Sequence, residues 1–370
     1  MSINRRKIVF LLPSLESGGA ERVCITLAHE FAKRGDCVEF LLMRKFGRLL
    51  EQTSNIFTVN SLDVRRGCQV PFMLYKYLRK NKIDAIIASM WPLTFFASTI
   101  KLYKFNKTRI LIIEHSSLKS QYSGKGFLHQ ITLRLTLGLA NRLADVSIGV
   151  SEGVAKEVAS LSFLSKERVK TVYNPIPGCK FSSQVRLNQV REQWNKGQGL
   201  RLLTVGRLKE AKNHRLLITA FSRLKNRDTR LMLVGSGELE ENLRSYSNDL
   251  GISERIIFAG YQTDLAAFYE TADLFVLSSD REGFGNVLVE ALSYGTPVVS
   301  TDCNYGPREI LCDGVYGILV PVKNVDALVR AIEAALDDRV CDINKLKERA
   351  KEFLPKKIAK DYYELLFNDN

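Results

Sequence analysis

The chain has 370 residues, 45% of them hydrophobic and 25% charged, with 54 Lys and Arg against 40 Asp and Glu for a formal net charge of +14. This length and balance exclude a disordered or fibrous chain and allow two domains, each with its own core. Cysteines at 24, 37, 68, 179, 303, 312 and 341, an odd number without a C-x-x-C spacing, argue against a disulfide framework or zinc site and read as reduced thiols.

The start is basic, but residues 8–12 are only five apolar positions before Pro13, which reads as a strand and turn rather than a secretory signal. The longest apolar stretch, 83–100, contains Asp84 and Pro92 and falls short of a membrane span. A cytoplasmic location is the expectation. In the first half, strands are expected at 7–12, 38–43, 83–89, 109–114 and 146–150, with a helix over 19–34. Gly18 and Gly19 fill the first strand-to-helix turn, a place where glycine is common for backbone reasons alone; Glu21 and Arg22 suit the first turn of that helix. His115 directly follows the 109–114 strand and precedes a polar segment, expected to be mobile, that reaches Gly126. A lone histidine is most often structural, yet sites on parallel sheets lie where this one falls, at a strand's carboxyl end. His29, His129 and His214 lack that placement and read as structural or surface residues.

Prolines, two glycines and polar residues interrupt the pattern between 173–177 and Leu200, so a domain boundary is expected there, dividing 1–178 from 179–355. The second half repeats the alternation, with strands expected at 201–205, 230–234, 256–259, 274–278, 297–300 and 317–320. Apolar strands alternating with helices form parallel doubly wound sheets. The expected class is α/β, with two Rossmann-like domains facing each other. Charge divides between the halves: residues 1–180 carry 28 Lys and Arg against 13 Asp and Glu, whereas the remainder is close to neutral. A basic half beside a neutral one suits an anionic surface or acceptor on one side.

Three motifs in the second half bear on chemistry. Gly206-Arg207-Leu208 ends a strand, and Lys212 lies at the start of the next helix. These cations could hold phosphate oxygens or be two solvated loop residues. Gly235-Ser236-Gly237-Glu238 also joins a strand to a helix; its amides could face a ligand, while Glu238 also suits the positive end of a helix dipole. Glu282-Gly283-Phe284-Gly285-Asn286 leads into Val287 to Glu290. In one helix the two glutamates would stand about 12 Å and about 80° apart, so Glu282 belongs to a loop and Glu290 to the helix. A loop carboxylate, amides at a helix start and a second carboxylate suit a ligand with hydroxyls at both ends and anionic charge between them.

Glu282 to Glu290, Ala291-Leu292, Gly295-Thr296-Pro297-Val298-Val299, Gly306-Pro307-Arg308-Glu309-Ile310 and Asp313-Gly314 resemble the E-x7-E region of the retaining glycosyltransferases of family 4. Val205 to Leu208 with Lys212, Val234 to Glu238 and Gly18-Gly19-Ala20-Glu21-Arg22 are similar to further landmarks of that family, in the same order. The resemblance implies the GT-B architecture, with the active site in a central cleft and the amphipathic tail, about 356–370, returning to the first domain. It implies a nucleotide-sugar donor, UDP favoured, held by Gly206, Arg207, Lys212, Gly235, Gly237, Gly283, Phe284, Gly285, Asn286 and Glu290. Glu290 would take the ribose and Arg207 with Lys212 the diphosphate. Glu282 and His115 are the expected catalytic residues on the sugar, and Gly18 and Gly19 the cleft loop. Ser151-Glu152-Gly153 and Asn174-Pro175 match family positions too, although a helix cap and a tight turn explain them; Arg308 and Glu309 suit either a diphosphate or a held loop.

The resemblance further implies bacterial enzymes that extend lipid-linked oligosaccharides for O-antigen, capsule or glycoprotein synthesis, hence a polyprenyl-diphosphate-linked or glycan acceptor and peripheral contact with an anionic membrane surface. Basic and aromatic residues interleave in a helix over 72–80 and again in Lys101-Leu102-Tyr103-Lys104-Phe105-Asn106-Lys107, with Phe127-Leu128 in a further basic stretch; a core helix with a solvated charged edge explains any one of them, but together with the basic half they are the expected docking elements. With no D-x-D at a strand end and no zinc spacing, no metal and no cofactor are expected. Nucleic acid is not an expected partner, for lack of RNP-like aromatics or a basic recognition helix. The competing functions are a nucleotide-sugar epimerase or phosphorylase and an inactive basic protein on the same fold, for membrane or nucleic acid.

Overall fold

The computed structural model describes residues 5–103, 107–194, 199–337 and 342–368. The chain forms two compact units: Met1–Ile176 with Leu354–Asn370, and Pro177–Phe353.

The first unit is a seven-stranded parallel sheet, β1 (Lys7–Leu12), β2 (Cys37–Leu42), β3 (Thr58–Ser61), β4 (Ala85–Ser89), β5 (Arg109–Glu114), β6 (Val146–Gly149) and β7 (Val169–Thr171), in the order β3-β2-β1-β4-β5-β6-β7. Five of the six residues of β1 and all five of β4 are buried, as expected of strands covered on both faces. The edge strands β3 and β7 carry half-exposed or exposed Thr, Asn and Lys, so no apolar run marks them in the sequence. The Pro355–Phe367 helix belongs to this unit and packs on the Gly19–Lys33 helix. It buries Ile358, Ala359, Tyr362 and Leu366, a helical spacing of three and four that puts one apolar face inward. At its rim the guanidinium of Arg34 lies 3.9 Å from the Tyr363 ring centre and that of Arg6 3.8 Å from Phe367.

The second unit is a six-stranded parallel sheet, β8 (Arg201–Val205), β9 (Arg230–Val234), β10 (Ile256–Gly260), β11 (Leu274–Leu277), β12 (Val298–Thr301) and β13 (Ile318–Val320), ordered β10-β9-β8-β11-β12-β13. Strand order reverses at β8 and β11. Such a switch point opens a crevice at the strands' carboxyl ends, because successive connections leave in opposite directions. The first unit has the same reversal at β1 and β4.

Candidate functional site

The loops leaving β8 and β11 meet at the switch point of the second unit. After β8, a turn over Glu210–Lys212 ends at Asn213, whose φ of +43° is left-handed, and whose side chain caps the His214–Ser222 helix through Leu216 N at 3.1 Å. Asn213 Nδ2 also donates to Asp280 at 2.9 Å, Ser278 Oγ to the Lys212 carbonyl at 3.0 Å, and Asp280 N to the Ala211 carbonyl at 3.0 Å. These bonds staple the two loops together and set the Lys212 side chain against Glu282. Lys212 Nζ stands 2.5 Å from Glu282 Oε1, and Ser279 Oγ donates to the same oxygen at 2.6 Å. The Glu282 side chain is 9% exposed and that of Lys212 20%, so the pair is shielded enough for its electrostatics to be stronger than at a free surface.

Around this pair the structure gathers further charge. Arg207 is exposed and Lys209 half-buried. Burial, with Lys212 and Arg207 nearby, holds Lys209 below the usual lysine value. Burial also raises the thiol of Cys303, and the neighbouring Glu282 adds to this. Gly206 has the Lys212 stem as its nearest neighbour, a Cβ there standing 3.8 Å from Lys212 Cε.

The two glycines after β9 have a backbone reason. Gly235 has φ +142°, and a Cβ on it would fall 1.9 Å from the Gly206 carbonyl oxygen; one on Gly237 would fall 2.3 Å from that of Leu208. The turns after β8 and β9 therefore lie on one another, joined by Leu208 N to Ser236 O at 3.0 Å. At the next corner Gly285, φ +103°, is the N-cap of the Asn286–Tyr294 helix, and its own lack of a side chain leaves the cap position without a side-chain bond. Gly283 is buried and Asn286 half-buried. Phe284 is 2% exposed, with its ring 5.5 Å from that of Phe353, so the side chain belongs to the core and only the backbone is left for the donor-binding part expected of it. One helical turn on, Glu290 Oε2 accepts a 2.8 Å hydrogen bond from the hydroxyl of buried Tyr269. Arg308 is bonded to Asp302 and, at 3.0 Å, to Asp313, which makes it a holder of its own loop.

In the first unit His115 sits at the carboxyl end of β5. Both ring nitrogens are shielded from solvent and have no hydrogen-bond partner among the described residues, and burial pushes the pKa down to about 3, so the ring is neutral near pH 7. A neutral imidazole presents one donor and one acceptor, the complement of a hydroxyl. Glu114 beneath it accepts from Thr94 Oγ1 at 2.7 Å and Trp91 N at 3.2 Å; burial raises its pKa to about 7 against those two bonds. Gly18, extended at φ −78°, and Gly19 open the Gly19–Lys33 helix after β1. The segment expected to be mobile contains a short helix, Leu118–Gln121, fastened because Ser117 Oγ (2.8 Å) and Lys119 N (3.2 Å) both donate to Glu157. Ser151 caps its helix through Val154 N at 3.2 Å.

The expected docking stretch also differs. Lys101 Nζ is held 2.9 Å from Asp145 Oδ1 and so is occupied, while Lys104, Phe105 and Asn106 lie outside the described residues. Lys209, Ser279 and Tyr269 are site neighbours that motif reading does not single out. Ser279, in the loop that leaves β11 with Glu282, and Lys209, in the loop that leaves β8 with Lys212, have a strand-end signal that could have found them; Tyr269 has none.

Residues 17–177 match Glycosyltransferase Family 4, and residues 188–353 match Glycosyl transferases group 1. The chain is 28% identical to the N-acetylgalactosamine-N,N'-diacetylbacillosaminyl-diphospho-undecaprenol 4-alpha-N-acetylgalactosaminyltransferase of Campylobacter jejuni, over 96% of this chain and 98% of that one. A second C. jejuni enzyme, the GalNAc-alpha-(1->4)-GalNAc-alpha-(1->3)-diNAcBac-PP-undecaprenol alpha-1,4-N-acetyl-D-galactosaminyltransferase, is 27% identical over 97% and 98%. Among solved structures, Anabaena Alr3699/HepE in complex with UDP and glucose superposes with a TM-score of 0.83 at 22% identity, covering 98% of this chain and 99% of that one. WaaG, a glycosyltransferase involved in lipopolysaccharide biosynthesis, superposes with a TM-score of 0.72 at 17% identity, covering 98% and 100%. Both likenesses concern the fold.

Proposed function

Since the chain belongs to the family 4 type of GT-B glycosyltransferases, we propose that it moves a hexose or N-acetylhexosamine from a UDP-sugar to a polyprenyl-diphosphate-linked glycan, with retention of anomeric configuration and without a metal. The observation that carries this reading is the Lys212–Glu282 pair, anchored by Ser279, at the switch point of the second unit. The undecaprenyl diphosphate acceptors named for the C. jejuni relatives and the UDP bound by the Anabaena neighbour support the substrate classes.

Lys212, with Lys209 and Arg207, meets the diphosphate and stabilises the charge that grows on it as the bond to the anomeric carbon breaks. Glu282, released from part of its ion pair as Lys212 turns to phosphate, accepts sugar hydroxyls. Glu290 binds the ribose. In the first unit His115, neutral and without a hydrogen-bond partner among the described residues, suits a sugar hydroxyl. The acceptor hydroxyl forms the new bond on the face the diphosphate leaves, and its proton passes to the departing diphosphate. The deciding assay follows radiolabel from UDP-, GDP- and ADP-sugars into a polyprenyl-diphosphate-linked glycan. Transfer from a UDP-sugar is expected; transfer from none of them, or equal transfer to a free glycan, contradicts the reading.

For the membrane partner we propose a different surface from the 101–107 stretch. The Phe127–Leu143 helix contains no Asp or Glu, and Phe127, Leu128, Ile131, Leu135 and Leu139 are all exposed, Leu128 at 79% and Leu135 at 67%. Exposed Arg134, Arg142 and Lys125 lie along or beside it. An apolar stripe with cations beside it and no carboxylate on its helix fits the interface of an anionic bilayer.

A further inference from the structure

We propose that Tyr269 is a positioning residue for Glu290, holding that carboxylate in the rotamer that receives the nucleotide; this deepens the ribose reading and rests on it. A glutamate has three side-chain torsions to fix, and binding through it costs the entropy of fixing those that are still free. Tyr269 is 2% exposed, so its hydroxyl has no access to bulk water and needs a protein acceptor. It donates to Glu290 Oε2 at 2.8 Å, a charge-assisted bond made before any ligand arrives. Burial holds the phenol well above its ordinary value and the neighbouring carboxylate adds to this, so the hydroxyl stays a donor.

The ring of Tyr269 is itself fixed. It stacks on Tyr294 with centres 5.5 Å apart and planes 11° from parallel, and its carbonyl accepts from Thr296 Oγ1 at 3.1 Å. Tyr294 is in turn clamped at its hydroxyl, which donates to the Lys180 carbonyl at 3.1 Å and accepts from Lys180 N at 3.2 Å. Tyr269 comes from the Ala266–Thr271 helix, whereas Glu290 and Tyr294 share the Asn286–Tyr294 helix one turn apart. The stack and the hydroxyl bond therefore tie the acidic side chain to a second helix and to the segment that enters the unit.

The experiment is a double-mutant cycle on UDP affinity, measured by calorimetry with the full chain. Tyr269→Phe keeps the ring and its stack, so thermal stability should stay close to wild type while the Kd for UDP rises about tenfold, on the scale of one hydrogen bond to a charged group. Turnover at saturating donor should change little. Glu290→Ala should weaken UDP binding by itself, and adding Tyr269→Phe to it should cost nothing more. If Glu290→Ala weakens UDP while Tyr269→Phe has no effect, or if the two losses multiply, the positioning role is overturned and the ribose reading stands. If Glu290→Ala leaves UDP affinity unchanged, the ribose reading falls and takes this inference with it.

Discussion

Lys212 and Glu282 neutralise one another before any donor is present, so removing one charge has two separable consequences. Glu282→Ala and Lys212→Ala should each lower turnover about a hundredfold, the scale of losing one charge-stabilising group. Lys212→Ala should in addition lower the melting temperature more than Lys212→Ala with Glu282→Gln, because the single variant leaves a shielded carboxylate without its cation. Steady-state kinetics beside thermal melts separate the two effects; equal melting temperatures would mean that the pair has no structural weight. Glu114 gives a prediction in pH. Its folded pKa of about 7 lies above its ordinary 4.5, so from pH 4.5 upward the unfolded chain loses this proton first and stability falls, until the loss is complete above pH 7. The whole effect is on the order of 3 kcal/mol. His115 and His214, both held near 3 by burial, act in the opposite direction below pH 6.5. The readout is therefore the difference between wild type and Glu114→Gln in urea midpoints at pH 5 and pH 8, which should favour the variant more at pH 8. The same residues show what can be read from a chain alone. Gly206, Lys212 and Glu282 are legible because each follows an apolar strand, and strand ends are where open parallel sheets gather their sites. Tyr269, 21 residues from Glu290, is not legible, since its hydroxyl meets the carboxylate only after two helices have packed.

At the scale of the elements, the Phe127–Leu143 helix has an outward face that departs from ordinary surface chemistry. Leu128→Glu with Leu135→Glu should abolish sedimentation with phosphatidylglycerol vesicles while leaving UDP affinity unchanged. Wild-type binding should weaken with salt, since each nearby Lys or Arg adds about 1 kcal/mol before screening. Retention of the double variant on vesicles, or a concentration-dependent dimer that the variant loses, would assign the stripe to something other than lipid. Amphipathic spacing makes such a helix visible in the sequence, but not which side faces out. Here Leu133, Leu137 and Ala140 face in, and a helix apolar on both sides has no polar face to mark the outside. The Leu118–Gln121 segment looks like a loose polar loop for a related reason: what fastens it is Glu157, 40 residues beyond Ser117.

At the scale of the molecule, two runs of alternating strands and helices are enough to announce two parallel sheets, because buried strands must be continuous and apolar. The strand order within each sheet is set by crossovers that leave no mark in the local pattern. The Pro355–Phe367 helix closes the first unit with Ile358, Tyr362 and Leu366 in its core. Deleting 354–370 should therefore remove a burial contribution of about 6 kcal/mol from the first unit. Its calorimetric transition should fall or vanish, whereas the transition that UDP shifts upward should persist. Loss of both transitions together would show that the two units melt as one.

That returning helix also dictates an order of events on the ribosome. Residues 177–353 are contiguous, but the first 176 residues, though made earlier, wait for a segment nearly two hundred positions downstream to cover the Gly19–Lys33 helix. During that interval Phe31 and its neighbours lack the cover that Tyr363 provides in the finished chain, where the two rings lie 5.7 Å apart. The usual rule that the amino-terminal domain matures first during translation is therefore expected to reverse, leaving the nascent first unit as the one open to chaperones and to aggregation in the interval.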